Sequence, residues 1–367
     1  MKVRLNLAAF NAALGYALKG SKQFGDWILI SATNSGISIA SRDDADTVRS
    51  RVEGEIFAEG TWMPNGATLR NVVSTLARQK NKQLDTTIDI TTEGDQGSVV
   101  VGNIEMQLNG GDPNSYPQTP PPVGTPHSID PATIISGIDQ VVTAAGAAAV
   151  DDMLRGICFR SVEGTLHAMS TDGRQAASAV ISPIGEDWAD IILGRAESVL
   201  LSSLAKGQDD LKVWVGQGRL WAKTGPHNLT CSTVMGNFPD LLKVLPGPEY
   251  YDTRIKVDLE EWNNAIALVH SANSSDSDVV AQLVLGPEDS YLQLSNQDGH
   301  FRNVTVPLPD NIESEYKAHM PMSRLQDRLR HAGPDPVLCI PTDRASIRMP
   351  LRVENTGYVA WVMGLAR

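Results

Sequence analysis

Along the chain, the pattern of apolar and polar positions runs through the same cycle three times. A short alternating stretch leads into a helix-period stretch at 3–20 (VRLNLAAFNAALGYALKG), at 127–146 (HSIDPATIISGIDQVVTAAG) and at 255–272 (IKVDLEEWNNAIALVHSA). Phe10, Leu14 and Leu18, then Ile134, Ile138 and Val142, then Trp262, Ile266 and Val269 recur at the spacing of one helix face. Asp130 and Asp258 stand where N-caps belong. A second helical stretch follows in each cycle, at 63–81, 193–207 and 320–333. Between the helices lie alternating runs rich in Val, Ile, Thr and aromatics, such as DWILISAT, GISIAS, TTIDITT, LKVWVG, RLWAKT and FRNVTVPL, which read as antiparallel strands. The first two cycles close alike, with GGDPNSYPQTPPP (110–122) and GNFPDLLKVLPGP (236–248). Short amphipathic helices recur by chance in many proteins, but a fixed order of strand, helix, strands, helix, strands does not. The pattern predicts an α+β fold of three tandem domains, 1–122, 127–248 and 252–367. Pro120, Pro121, Pro122 and Pro126, then Pro246 and Pro248, form the extended joints.

Composition narrows what such a repeat can do. With 41% hydrophobic and 20% charged residues in 367, the chain is an ordinary globular protein. Its net charge of −12 argues against coating nucleic acid over the whole surface, though not against a local basic face. No segment approaches a membrane span and the first residues lack a signal-peptide pattern, so a cytoplasmic protein without membrane contact is expected. Cys158, Cys231 and Cys339 are widely separated and odd in number, which favours buried thiols over disulfides or a metal site. Catalytic motifs are missing. His167 near Asp172, and Asp43 with Asp44 and Asp46, are the best raw material for chemistry, and the aspartates read better as a solvated turn. The expectation is a binding protein, not an enzyme, with no cofactor, no metal and no catalytic residue.

Four motifs in order give the repeat a family. Leu154-Arg155-Gly156-Ile157, Thr171-Asp172-Gly173-Arg174-Gln175-Ala176-Ala177, the run from Phe238 to Pro246 (FPDLLKVLP) and the ending that starts at Tyr358 (YVAWVMGLAR) span the second and third cycles. They resemble the bacterial sliding clamp, the beta subunit of the replicative DNA polymerase. That family reads L-R-G-V, T-D-G-H-R-L-A, F-P-D-Y-R-R-V-L-P and Y-V-V-M-P-M-R-L. With the threefold pattern, the resemblance covers the whole chain. It implies three tandem repeats of the DNA-clamp fold, with helices lining the inside and antiparallel sheets forming the outside of a dimeric ring. Such a ring is a head-to-tail homodimer around duplex DNA, a heterologous contact that closes. The implied role is a non-catalytic processivity factor tethering the replicative polymerase's catalytic subunit, the clamp loader and other proteins that carry a clamp-binding motif. Two alternatives stay open: a clamp-fold scaffold that binds only proteins, and an accessory or resistance copy with altered partner preference.

Charge offers a test of the DNA-facing surface that does not depend on the family. From Thr61 to Leu84 the chain carries Arg70, Arg78, Lys80 and Lys82 and no acidic residue, while Leu69, Val72, Val73 and Leu76 mark the apolar face. Arg324 and Arg328 lie one turn apart in the last helix, with Leu325 and Leu329 expected to turn away. Lys19, Lys22, Arg195 and Lys206 add single charges. These ten are the expected phosphate contacts, loose and without base readout. For Lys19, Arg78 and Lys206, complementing a helix C-terminus is an equal reading. The resemblance also implies a partner-peptide pocket of Leu154, Thr171, Gly173, Arg174, Gln175, Ala176, Pro239, Val244, Ser346, Val359, Ala360 and Met363. Here the chain departs from its family. Arg174-Gln175-Ala176 replaces H-R-L, exchanging a large apolar wall for a methyl group. Trp361, Val362 and Gly364 stand where the family has M-P and R. An altered peptide preference follows.

Overall fold

The computed structural model describes residues 1–20, 27–43, 46–78, 87–146, 151–184, 188–272, 279–295, 303–342 and 349–365. Seven α-helices fall among the described residues: α1 (Leu7–Ala17), α2 (Gly66–Arg78), α3 (Pro131–Val141), α4 (Arg195–Ala205), α5 (Leu241–Val244), α6 (Leu259–Ser271) and α7 (Met322–His331). All but the short α5 are helices that the periodicity predicts. Their starts are fixed by local side chains, as Asn6 Oδ1 accepts from Ala9 N–H, Asn65 Oδ1 from Thr68 N–H and Asp130 Oδ1 from Ala132 N–H. Asp258 accepts from both Glu260 and Glu261. The apolar stripes are buried as expected, with Phe10, Leu14, Leu69, Val73, Ile138, Trp262, Ile266 and Val269 inaccessible to solvent.

The chain divides into two compact units, Met1–Ala132 with Leu200–Thr233, and Thr133–Val199 with Val234–Arg367, so the division passes through the second repeat. Strand pairing explains why. Each repeat contributes two groups of four strands, and the first repeat adds a ninth strand, Gly54–Ala58, beside Lys2–Asn6. In the first repeat one group runs Gly60–Pro64, Ile28–Thr33, Gly36–Asp43, Asp46–Val52, and the other Lys2–Asn6, Thr87–Glu93, Gln96–Val101, Ile104–Gly111. The same two orders recur in repeats two and three. Within the first unit, Asp46–Val52 pairs antiparallel with His227–Ser232, the last strand of the second repeat. Within the second unit, Gln175–Pro183 pairs in the same way with Tyr358–Val362, the last strand of the third. The first group of one repeat and the second group of the next thus form one continuous sheet, which contiguous domains in sequence would not suggest.

The core of the first unit lies between its helices and sheet, where Val3, Phe10, Leu14, Ile30, Ile39, Trp62, Leu69 and Val73 form one buried cluster. Gly97 packs so tightly on the Trp62 ring that a Cβ there would lie 2.3 Å from it. The three cysteines are buried free thiols, as expected, and burial pushes the Cys158 and Cys339 thiols up to about 12. Among the described residues no helix is long and apolar enough to cross a membrane.

Candidate partner pocket and nucleic-acid interface

The second unit's eight-stranded sheet places Gly156–Val162, Thr165–Thr171, Gln175–Pro183 and Tyr358–Val362 side by side. Because strand side chains alternate between faces, Cys158, Met169, Ala176 and Trp361 emerge on one face. The segment 238–245, including α5, covers them. Phe238 and Leu241 complete a buried cluster, and Leu154, Leu242, Leu245 and Val359 pack at its margin. Arg160 holds this cover in place, donating to Phe238 O at 3.2 Å while its Nε pairs with Asp190 Oδ2 at 2.6 Å. Next to the cluster a cavity of about 410 Å³ opens on the same sheet, between His167, Ser178, Val180, Asn355 and the shared margin residues Leu242 and Val359. That size suits a short peptide segment.

The structure brings together most of the residues expected in the pocket. Leu154, Ala176 and Val359 belong to the cluster, with Pro239 half-buried in the covering segment and Val244 exposed at 67% beyond it. Gly173 and Arg174 form the exposed tip of the neighbouring turn, and Met363 N–H donates to Arg174 O at 3.0 Å. Ser346 lies outside the described residues. Ala360 needs correcting: it is fully buried on the face opposite Val359 and Trp361, so it serves the core. Trp361, which the expected set leaves out, belongs to the buried cluster beneath the covering segment. It sits directly opposite Ala176 in the strand register, donates Nε1–H to Pro246 O at 3.2 Å and carries the Arg352 guanidinium 5.6 Å from its ring. The two main departures from the family pattern therefore face each other. Space given up at Ala176 adjoins bulk added at Trp361. Strand alternation counted from Val359 would have found it.

The T-D-G turn is fixed by its own side chains. Asp172 Oδ1 accepts from Arg174 and Gln175 N–H, both at 2.8 Å, and Thr171 donates to Gln175 O at 2.6 Å. Gly173 has φ +82°, in the left-handed region that favours glycine. Two arginines of α7 reach this neighbourhood. Arg324 Nε lies 3.4 Å from Asp172 Oδ2. Arg328 is fully buried, donating to Gln140 O at 3.4 Å and to Thr143 Oγ1, and Thr143 O in turn accepts from Gln175 Nε2 at 3.3 Å. The expectation that Arg328 meets phosphate is thereby overturned, since a guanidinium sealed among Gln140 and Thr143 has no path to DNA. Arg324, 20% exposed, is turned toward Asp172.

The other expected phosphate contacts differ in how free they are. Arg70 and Arg78 are exposed on α2, opposite buried Leu69, Val73 and Leu76. Arg195 and Lys206 are exposed at the two ends of α4. Lys19 donates to Ser203 O and Oγ at 3.2 and 2.8 Å, and burial, with Lys206 nearby, holds its ammonium below the usual lysine range. Lys22, Lys80 and Lys82 lie outside the described residues. Of the candidates for chemistry, His167 Nδ1 contacts Ser178 Oγ at 3.2 Å and burial lowers its pKa, while Asp172 is engaged by its turn and Arg324. Asp46 Oδ1 accepts from Ser232 N–H at 2.9 Å. Among the described residues no group of three or more His, Cys, Asp or Glu could hold a metal.

This sheet and turn belong to a stretch that has known relatives. Residues 128–240 match the family model for the DNA polymerase III beta subunit, central domain. A beta sliding clamp of Staphylococcus aureus (strain Mu50) is 23% identical over 225 residues, 60% of this chain and 58% of the relative. That of Micrococcus luteus is 26% identical over 265 residues, 68% of this chain and 80% of the relative. Residues 128–240 thus carry a divergent DNA polymerase III beta subunit central domain. The chain's fold agrees over the whole length, with a TM-score of 0.88 to the Pseudomonas aeruginosa beta subunit at 21% identity, both chains fully covered. The Bacillus subtilis DNA polymerase sliding clamp gives 0.88 at 17% identity, covering 100% of this chain and 99% of that one. The aligned segment spans just under three fifths of the S. aureus relative's length.

Proposed function

We propose that this protein is a sliding clamp: a head-to-tail homodimer that encircles duplex DNA and tethers the replicative polymerase, the clamp loader and other partners through the pocket around Val359. The observation that carries this reading is an unfinished pairing rule. The strand that ends a repeat's first group, Asp46–Val52 or Gln175–Pro183, pairs with the last strand of the next repeat, twice within the chain. The remaining members of each class are Asn303–Pro307, which ends a four-stranded sheet, and Ile104–Gly111, whose outer edge meets Gly60–Pro64 at Gly110 and Gly111 and is open over residues 104–109. No residue of Ile104–Gly111 is buried, whereas its counterparts His227–Ser232 and Tyr358–Val362 are mostly buried. An open strand edge is a template for pairing. Two copies satisfying the rule reciprocally make a closed ring of six repeats.

On this reading the register carries over: as His227 pairs with Ser50 and Tyr358 with Ala179, Ile104 of one protomer would pair with Val306 of its partner, and Glu105 would stand opposite the partner's Thr305. Arg70, Arg78, Arg195 and Lys206 then serve as non-specific phosphate contacts, and the Ala176–Trp361 exchange gives the pocket a partner preference different from that of the ordinary motif. The test joins Glu105→Cys with Thr305→Cys. Oxidation should give a closed covalent dimer that stays on nicked circular DNA through a high-salt wash and runs off after linearisation. A chain that remains monomeric at micromolar concentration, or a dimer indifferent to DNA topology, would leave only the protein-binding scaffold.

A further inference from the structure

The junction that carries the pocket in the second unit has a counterpart in the first. Cys158, Met169 and Ile192 of the pocket cluster correspond by strand register to Leu29, Ala40 and Met63, which form a small buried cluster with Tyr116. There too a proline-rich segment covers the sheet and is held by an indole. Trp221 Nε1–H donates to Pro120 O at 3.0 Å, as Trp361 does to Pro246 O. What lies on this face is different. Trp214, Trp221, Thr230 and Thr47 form one row across four paired strands, and Lys212, Lys223, Asn228 and Arg49 form the next row. Between these rows and Pro120 and Pro122 lies a cavity of about 230 Å³. No carboxylate lines it among the described residues, in a chain of net charge −12.

We propose that this face of the first unit is a second peptide site, for an acidic segment of a partner protein with one hydrophobic anchor. The cavity is smaller than the ~300–1,000 Å³ usual for a whole small molecule and admits one large side chain. Half-exposed Trp214 and the prolines supply its apolar wall, and the hydroxyls of Thr47 and Thr119, 3.0 Å apart, supply polar edges. The cationic row would attract and orient flanking carboxylates. Nucleic acid fits less well, because Trp221 is only 4% exposed, which leaves half-exposed Trp214 as a single stacking face where a strand needs one for each successive base. The inference rests on the first unit alone and survives if ring closure fails.

The probe is a fluorescein-labelled hexapeptide, Asp-Glu-Asp-Phe-Glu-Asp, followed by anisotropy at low salt. Saturable binding to the full chain is expected, weakened about tenfold or more by Trp214→Ala, whose ring forms the wall. Lys223→Glu should weaken it about three- to tenfold, and because Lys223 is exposed this variant keeps its fold. Lys256→Glu, an exposed lysine of the second unit, should change nothing. Replacing the peptide's Phe by Ala should abolish binding. Absence of saturation by about 1 mM, equal binding by the Lys223 and Lys256 variants, or displacement by oligothymidylate more readily than by unlabelled peptide would overturn the proposal.

Discussion

If Ala176 and Trp361 are one adjustment split across two strands, reverting either alone should harm more than reverting both. Trp361→Met removes most of an indole that is 2% exposed and leaves Pro246 O without its donor. Truncation of a large core side chain together with an orphaned acceptor costs about 2–4 kcal/mol. Ala176→Leu, at 3% exposure, forces added methylenes against the intact ring, at about 1–3 kcal/mol. In the double variant the leucine fills part of the space the indole leaves. The pair should then be less destabilised than the sum by about 1–2 kcal/mol, in the range found for residues in contact. Urea midpoints by far-UV circular dichroism give the cycle, read as relative shifts because a chain of two units need not unfold in one step. A labelled peptide with the ordinary clamp-binding motif supplies a second readout. The double variant should bind it about tenfold more tightly than the parent, and neither single should match that. Additivity within about 0.5 kcal/mol, or equal peptide affinity for parent and double variant, would refute the coupling.

Arg328 and Arg70 should separate fold from DNA binding: Arg328→Glu buries an anion against Gln140 O and should unfold the second unit, whereas Arg70→Glu with Arg78→Glu should leave the melting temperature nearly unchanged and shorten retention on circular DNA. Removing one cation that neutralises a phosphate should reduce the slope of log affinity against log salt by about 0.9. His227 should make the first unit acid-sensitive. Its ring stacks on Tyr16 at 3.8 Å, its Nδ1 meets Ser50 Oγ at 2.9 Å, and burial, with Lys19 next in effect, lowers its pKa. With the native pKa below that of the unfolded chain, the unfolded state binds more protons, so this contribution is whole above about pH 6.5 and is lost as pH falls through the native value. Melting at pH 7.5 and 5.5 should show a larger loss for the parent than for His227→Gln. Asp258→Ala, which removes the cap from two N–H groups of α6, should cost about 1 kcal/mol in a thermal melt.

The helices are legible in the sequence because each carries a periodic stripe that nothing else in the fold overrides, as in Trp262, Ile266 and Val269. Strand content is legible too, but pairing is not. The strand Asp46–Val52 finds its partner 175 or more residues away, and no local pattern announces a partner in the next repeat. Arg328 defeats a reading by charge for a reason the helix itself contains. At about 100° per residue it projects only about 60° from Leu325, on the apolar side, whereas charge alone suggests a free face. Trp361 stands out as a departure but not as a pocket residue, because the family motif is matched letter by letter while the face is set by alternation. Burial of a paired arginine depends on Thr143 and Gln140, and their proximity to α7 exists only in the folded unit.

One junction geometry is used at least twice in this chain, and the two uses differ in the side chains on the covered face of the sheet. The row Trp214, Trp221, Thr230 and Thr47 in the first unit answers to Arg352, Trp361 and Ala176 in the second, over the same strand order and a similar proline-rich cover. Exchange of side chains on that row leaves the main-chain pairing untouched, so binding preference can change there without disturbing the sheet. On the proposed ring the third use must be made between protomers, at Ile104–Gly111 and Asn303–Pro307. It differs from the other two in one physical respect. The intrachain junctions form at an effective concentration set by the connecting chain, whereas the third must overcome the translational and rotational entropy of association. The ring is therefore weakest where strand meets strand across two chains, and dilution opens that seam before either of the other two.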